Sequence, residues 1–190
     1  MTIRLGAGFF WTEEPFSEFA SLIEEAEQLG YDTLWLANEK FFHDMYVMAT
    51  VAAERTRRAK IGTFVADPYS QPPGLTAMGI ASLDEVSDGR AILCMGAGGT
   101  GFPPMGIQRI KPAKAIREAI LLIRKLLAGE TVNFEGEIIQ FRNGRLNFRA
   151  RPDIPIIVAS RGDLVLQVGG EVADGVMIAT YAEPVGLGHA

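Results

Sequence analysis

Residues 84–106 read DEVSDGRAILCMGAGGTGFPPMG, and this stretch decides how the rest of the chain is read. A helical pattern ends at Gly89, five apolar residues from Ala91 to Met95 follow, and glycine then stands at 96, 98, 99, 101 and 106. A short apolar run without alternation, bounded by turn residues, is the mark of a strand buried on both faces. Glycines just past such a strand let backbone N–H groups approach a phosphate closely. Gly96, Gly98 and Gly101 also match the spacing G-x-G-x-x-G. A dinucleotide fingerprint, however, needs a helix to open at once and an acidic residue about 20 positions on. Pro103–Pro104 opposes an immediate helix. The next helical pattern starts near Pro112, and Glu118 falls inside it. The run therefore reads as a phosphate-binding loop of another α/β fold; the plainer alternative is a tight turn with no ligand.

Outward from this stretch the same rhythm repeats. Strand-like runs are expected at Ile3–Phe9, Thr33–Ala37, Lys60–Ala66, Ala91–Gly96, Pro155–Ser160 and Gly175–Ala179. Helical patterns lie between them. Phe16, Phe19, Ala20, Ile23 and Ala26 mark the first, Ala49, Ala52 and Ala53 the second, and residues 73–87 the third. Ile116, Ile120, Ile123 and Leu127 mark the fourth, and residues 163–173 the fifth. Alternating strand and helix means a parallel sheet with right-handed crossovers. Residues 130–150 break the rhythm: Thr131–Phe134, a Glu-Gly turn at 135–136 and Glu137–Phe141 read as an inserted hairpin before the fifth strand. A (β/α)8 barrel needs eight strands and typically ~250 residues. Six strands in 190 residues read either as an open sheet or as a barrel lacking its last two strands.

Composition narrows the function classes. The net charge is −5 and the 18 basic residues are scattered, which argues against nucleic acid and anionic membranes as partners. No apolar run approaches the ~20 residues of a membrane span. The first residues lack the blocks of a signal peptide. The single cysteine, Cys94, rules out an intrachain disulfide, and a reducing cytoplasm is the expected setting. His43 and His189 are too few and too far apart to argue a metal site.

Several short pieces, in order, carry a resemblance. They are Gly30-Tyr31-Asp32-Thr33-Leu34-Trp35, Ile61-Gly62-Thr63 leading to Asp67-Pro68-Tyr69, and Leu83-Asp84-Glu85-Val86-Ser87-Asp88-Gly89-Arg90. Arg117-Glu118-Ala119, Gly129-Glu130 and Glu171-Val172-Ala173-Asp174-Gly175 continue the series. Together they resemble the luciferase-like family of flavin- and deazaflavin-dependent oxidoreductases, most of all the branch containing methylenetetrahydromethanopterin reductase. The resemblance covers nearly the whole chain. It implies an α/β fold, a (β/α)8 TIM barrel truncated here to about six strands, with residues 1–190 forming one incomplete domain. It implies coenzyme F420 as hydride carrier, with FMN and monooxygenase chemistry as the alternative, and a small-molecule substrate. Uncovered edges on the first and last strands would favour a homo-oligomer, and an inactive fragment or assembly subunit is the reading from another class.

The resemblance also distributes roles. Gly96, Ala97, Gly98 and Gly99 would meet the phosphate arm of the cofactor. Ser160, Arg161 and Gly162, between a strand and a helix start, would share that phosphate; a lone arginine in a loop is otherwise only a solvated charge. Thr180 is a weaker candidate on the same face. Phe64, Val65 and Ala66 would back the ring at a bulge whose non-prolyl cis peptide would fall at Phe64–Val65. Asn38 and Glu39 end the second strand, where barrels place chemistry. Relatives often carry Asp-His there, so Asn-Glu argues against that mechanism; Glu39 would handle a proton, or else pair with Lys40 at the surface. The reductase branch tends to have glutamate where this chain has Gly8. Phe9, Phe10 and Trp11 would either line a ring pocket or pack in the core. Cys94 is expected to pack, and Asp67 to form a turn before Pro68.

Overall fold

Each expected strand is short, apolar and followed by a turn residue, and the chain uses these features to lay one parallel sheet. The computed structural model describes residues 4–10 and 13–178. In chain order it contains β1 (Gly6–Phe9), α1 (Phe16–Gln28), β2 (Thr33–Ala37), α2 (Met45–Arg55), β3 (Lys60–Phe64), α3 (Pro73–Val86) and β4 (Ala91–Met95). A 3-10 turn at Pro103–Met105 and α4 (Pro112–Leu127) follow. The chain then forms β5 (Val132–Glu135), β6 (Gln140–Gly144), β7 (Ile156–Ser160), α5 (Asp163–Val172) and β8 (Gly175–Ile178). The sheet order is β1-β2-β3-β4-β7-β8, every pair parallel, and β5-β6 is a separate antiparallel hairpin. This is the succession of units of a (β/α)8 barrel. All strand C-terminal ends therefore lie at one end of the sheet.

The core lies between the sheet and the helices. Phe19 and Ile23 of α1, Met48 and Ala49 of α2, Ile80 of α3 and Ile116, Ile120 and Ile123 of α4 pack against Leu34, Ile61, Leu93 and Val158. β4 is buried at all five positions, as its unbroken apolar run requires. Burial pushes the Cys94 thiol up to about 12. At the strand N-terminal ends, Arg90 donates to the carbonyls of Ala53, Ala59 and Ser87 and so ties the C-terminal ends of α2 and α3 together. Asp84, 5% exposed, takes a two-pronged bond from Arg151 at 2.8 and 2.9 Å. Among the described residues β1 and β8 have one neighbour each, and Leu5, Val176 and Ile178 are exposed. No helix among the described residues is long and apolar enough to cross a membrane.

The largest departures from the sequence patterns in where strands stop fall in the third strand and the hairpin, beside one-residue shifts elsewhere such as β4 stopping at Met95. The third stops at Phe64 rather than Ala66; Asn38 N–H bonds to the Phe64 carbonyl, and Ala66 makes only an isolated bridge to Met95. The hairpin is the larger correction. Its second strand is Gln140–Gly144, not Glu137–Phe141. The cause is Glu118, buried on α4: Oε1 accepts the N–H of Glu137, and Oε2 accepts those of Ile138 and Ile139, each at 2.9 Å. Three consecutive donors claimed by a carboxylate cannot join a ladder, so pairing starts at Gln140 opposite Glu135.

Glu118→Gln keeps the shape but sets an amide NH2 against backbone donors. A loss of about 2 kcal/mol is expected, read as a lower urea midpoint at constant slope. An unchanged midpoint would mean that the turn does not rely on the carboxylate. Cys94 should resist a thiol reagent in the native protein and react only as fast as the protein unfolds; rapid labelling without unfolding would contradict its burial.

Candidate active site

At the C-terminal ends of the strands a cleft of about 470 Å³ opens, floored by the ends of β2, β3, β4 and β7. The first contributor is the loop after β2. Asn38 Nδ2 donates to the Val65 carbonyl at 3.1 Å, so this amide orients backbone rather than facing a ligand with its donor. The Phe64–Val65 peptide bond is cis. Phe64 and Val65 line the cleft. Ala66 does not: it is fully buried, with its N–H on the Cys94 carbonyl and its own carbonyl on Gly96 N–H. It supports the wall from behind.

Asp67 is the hub of the neighbouring loops. Its side chain is 2% exposed and accepts four bonds: from Tyr69 N–H at 3.0 Å, Ser70 N–H at 2.7 Å, Ser70 Oγ at 2.6 Å and Lys40 Nζ at 3.2 Å. The expected turn before Pro68 is therefore present, and it also captures Lys40 from the β2 loop. That capture removes the plain reading of Glu39 as a partner of Lys40. Glu39 lines the cleft, and its Oε2 is buried with no hydrogen-bond partner among the described residues. A buried, unpartnered carboxylate oxygen is costly, and such groups concentrate where a ligand completes them.

The glycine run after β4 forms the adjoining wall. A Cβ on Gly96 would come within 2.8 Å of Val65 Cγ2, so glycine here lets the β3 bulge press against β4. Gly98 adopts φ +60°, and a Cβ there would lie 3.0 Å from Asp67 Cβ and 2.5 Å from Phe102 Cζ. Its immediate reason is packing inside the protein together with a left-handed backbone. The consequence faces the cleft: the N–H groups of Ala97, Gly98 and Gly99 bond to nothing among the described residues. Successive backbone donors in such a turn form an anion-binding concavity.

Arg109 lines the same wall and donates from Nη1 to the Gly98 carbonyl at 3.1 Å. Tyr69 lies beside it: burial raises the Tyr69 hydroxyl's pKa, Arg109 opposes the rise and Asp67 adds to it, with a net increase. The Tyr69 hydroxyl donates to the Ile110 carbonyl at 2.8 Å, which tethers the loop that carries Arg109.

From β7 come Ser160, Arg161 and Gly162. Ser160 Oγ accepts the Gly162 N–H at 3.0 Å, so the hydroxyl shapes the turn into α5. Arg161 is exposed and makes no hydrogen bond or ion pair among the described residues. The cleft thus brings together both expected phosphate loops, the ends of β2 and β3, and the guanidinium of Arg109, which the sequence reading missed. Thr180 lies outside the described residues, as does Trp11. Phe9 packs on Phe19 with ring centroids 5.7 Å apart, and Phe10 sits edge-on to Phe64. A side chain at Gly8 would run into the Phe10 ring. Among the described residues no cluster could hold a metal ion.

Known proteins place this architecture. The chain matches the family described as luciferase-like monooxygenase over residues 4–189. It is 39% identical over 170 residues to the 5,10-methylenetetrahydromethanopterin reductase of Methanolobus tindarius, covering 89% of this chain and 52% of that protein. It is 29% identical over 168 residues to an F420-dependent glucose-6-phosphate dehydrogenase of Amycolatopsis mediterranei, covering 79% and 49%. The coenzyme F420-dependent tetrahydromethanopterin reductase of Methanopyrus kandleri superposes with a TM-score of 0.85 at 30% identity, over 93% of this chain and 55% of that one. The chain spans about half the length of the curated relatives it matches. With its parallel strand order, its glycine run after β4 and a family match over residues 4–189, the chain belongs to the luciferase-like monooxygenase family.

Proposed function

We propose that this protein is an oxidoreductase that uses coenzyme F420 to move a hydride to or from a small organic substrate. The observation that carries the reading is the cleft wall at 97–99, where three consecutive backbone donors stand unspent beside an arginine. That wall suits a phosphate. The relatives named for F420 favour this coenzyme over FMN. The hydride chemistry belongs to the coenzyme; the protein binds, orients and desolvates it. Ala97, Gly98 and Gly99 would hold the phosphate, with the turn at Ser160, Arg161 and Gly162; Gly96, expected to do the same, has its N–H on the Ala66 carbonyl and instead shapes the wall. Phe64 and Val65 would form the surface against which the ring rests. Asn38 keeps the Val65 carbonyl in place. Glu39, with Oε2 unpartnered, would hold or deliver a proton on the substrate side. The substrate is taken only as a small organic molecule. Relatives are named for a pterin derivative and for a sugar phosphate, and Gly8 stands where the reductase branch tends to carry glutamate. A cytoplasmic setting and self-association through the open sheet edges belong to the same reading.

Titrating the purified protein with F420 and, separately, with FMN tests the cofactor. F420 should bind, with a change in its absorbance or fluorescence, and FMN should bind at least tenfold more weakly, about 1.4 kcal/mol. The reverse order would replace the reading with a flavin-dependent one. Glu39→Gln should lower kcat about 10²-fold, with F420 affinity unchanged. Wild-type turnover in that variant would make Glu39 a spectator.

A further inference from the structure

Among the groups lining the cleft, Arg109 stands out by what it does not do. Lys40 is neutralised by Asp67 at 3.2 Å. Arg109 has one partner among the described residues, the uncharged Gly98 carbonyl. A guanidinium carries five N–H donors in a rigid fork, so most of its capacity stays open toward the cleft it lines. Its single bond is informative in another way. The Gly98–Gly99 peptide is trans, so the Gly98 carbonyl and the Gly99 N–H point in opposite directions. By holding that carbonyl, Arg109 fixes the direction of the Gly99 donor. Glycine at φ +60° followed by glycine at φ +143° has little conformational preference of its own, so this hold matters. Arg109 is itself anchored, because the next residue's carbonyl is held by the Tyr69 hydroxyl at 2.8 Å.

We infer that Arg109 is a second anion-binding cation of the cleft besides Arg161, contributing charge to the ligand's phosphate and setting the backbone donor beside it. The inference rests on the proposed function for the identity of the phosphate, not for the existence of the anion site. Two cations from different loops also make affinity for an anionic ligand fall with ionic strength, since both are exposed.

The test compares Arg109→Gln and Arg109→Lys with the parent chain on three probes: F420, its deazaflavin-ribityl fragment lacking the phosphate, and inorganic phosphate. Arg109→Gln should weaken F420 about tenfold, the scale of one charge-assisted hydrogen bond, and leave the fragment unchanged. It should also flatten the salt dependence. Arg109→Lys should recover part of the loss, because the charge returns without the fork. Parental F420 affinity in Arg109→Gln overturns the inference. Equal losses for F420 and the fragment also overturn it, since they would mean a collapsed loop. If the parent chain binds phosphate but not F420, the cofactor reading falls, and Arg109→Gln must still weaken phosphate. If it binds neither, both ideas fall.

Discussion

The active-site face depends on one buried carboxylate. Asp67 follows the end of β3 and binds four donors drawn from two loops. Three of them close its own turn, Asp67-Pro68-Tyr69-Ser70, and the fourth, Lys40, brings in the loop after β2. Gly98, from the loop after β4, packs on the Asp67 side chain so closely that no Cβ fits. An ionised group this far from water is tolerable only when its lone pairs are filled, and here all are. Removing the carboxylate would release its own turn and Lys40 together and take away the surface on which Gly98 packs. The barrel supplies strand ends at a common level, and Asp67 joins the loops that leave them.

Around that hub the polar groups divide into those satisfied within the protein and those that are not. Asn38, Lys40, Asp67, Tyr69 and Ser160 all have partners. Glu39 Oε2, Arg161 and the N–H groups of 97–99 do not, among the described residues. The unsatisfied set offers donors at the glycine wall and the β7 loop and a carboxyl oxygen at the end of β2. Both kinds of group line the one cleft. The satisfied set holds that division in place without a metal-binding cluster among the described residues.

The glycine run lines the cleft as expected, but for a reason other than the one its pattern suggests. The pattern 96–99 points to phosphate because glycine admits close backbone approach. In the structure, Gly96 is required by Val65 and Gly98 by Asp67 and Phe102. The free donors follow from that internal packing, which bends the backbone away from any ladder. Likewise, Ala66 reads as a wall residue by its position but lies behind the wall, its backbone bonds given to β4. The hairpin at 132–144 was legible as a hairpin, but its second strand was displaced by three residues because Glu118, distant in sequence, claims the turn.

The sequence by itself determined the alternation of strand and helix, the parallel sheet and the helix stops at Gly30 and Gly129, both at positive φ. It also located the cleft walls at the ends of β2, β3, β4 and β7. The strand and helix pattern follows from local terms: hydrophobic period, turn chemistry and burial of unbroken apolar runs; the cleft walls were located chiefly by the family resemblance. Only the tertiary structure decided which polar groups are occupied. Glu118 reaches residues 137–139, Lys40 reaches Asp67, and Arg109 reaches Gly98. No spacing rule announces those pairings, because each depends on where folding brings two loops, and hydrogen bonds act over about 3 Å. Whether a side chain is structural or free to meet a ligand is settled at that range, after the fold has formed.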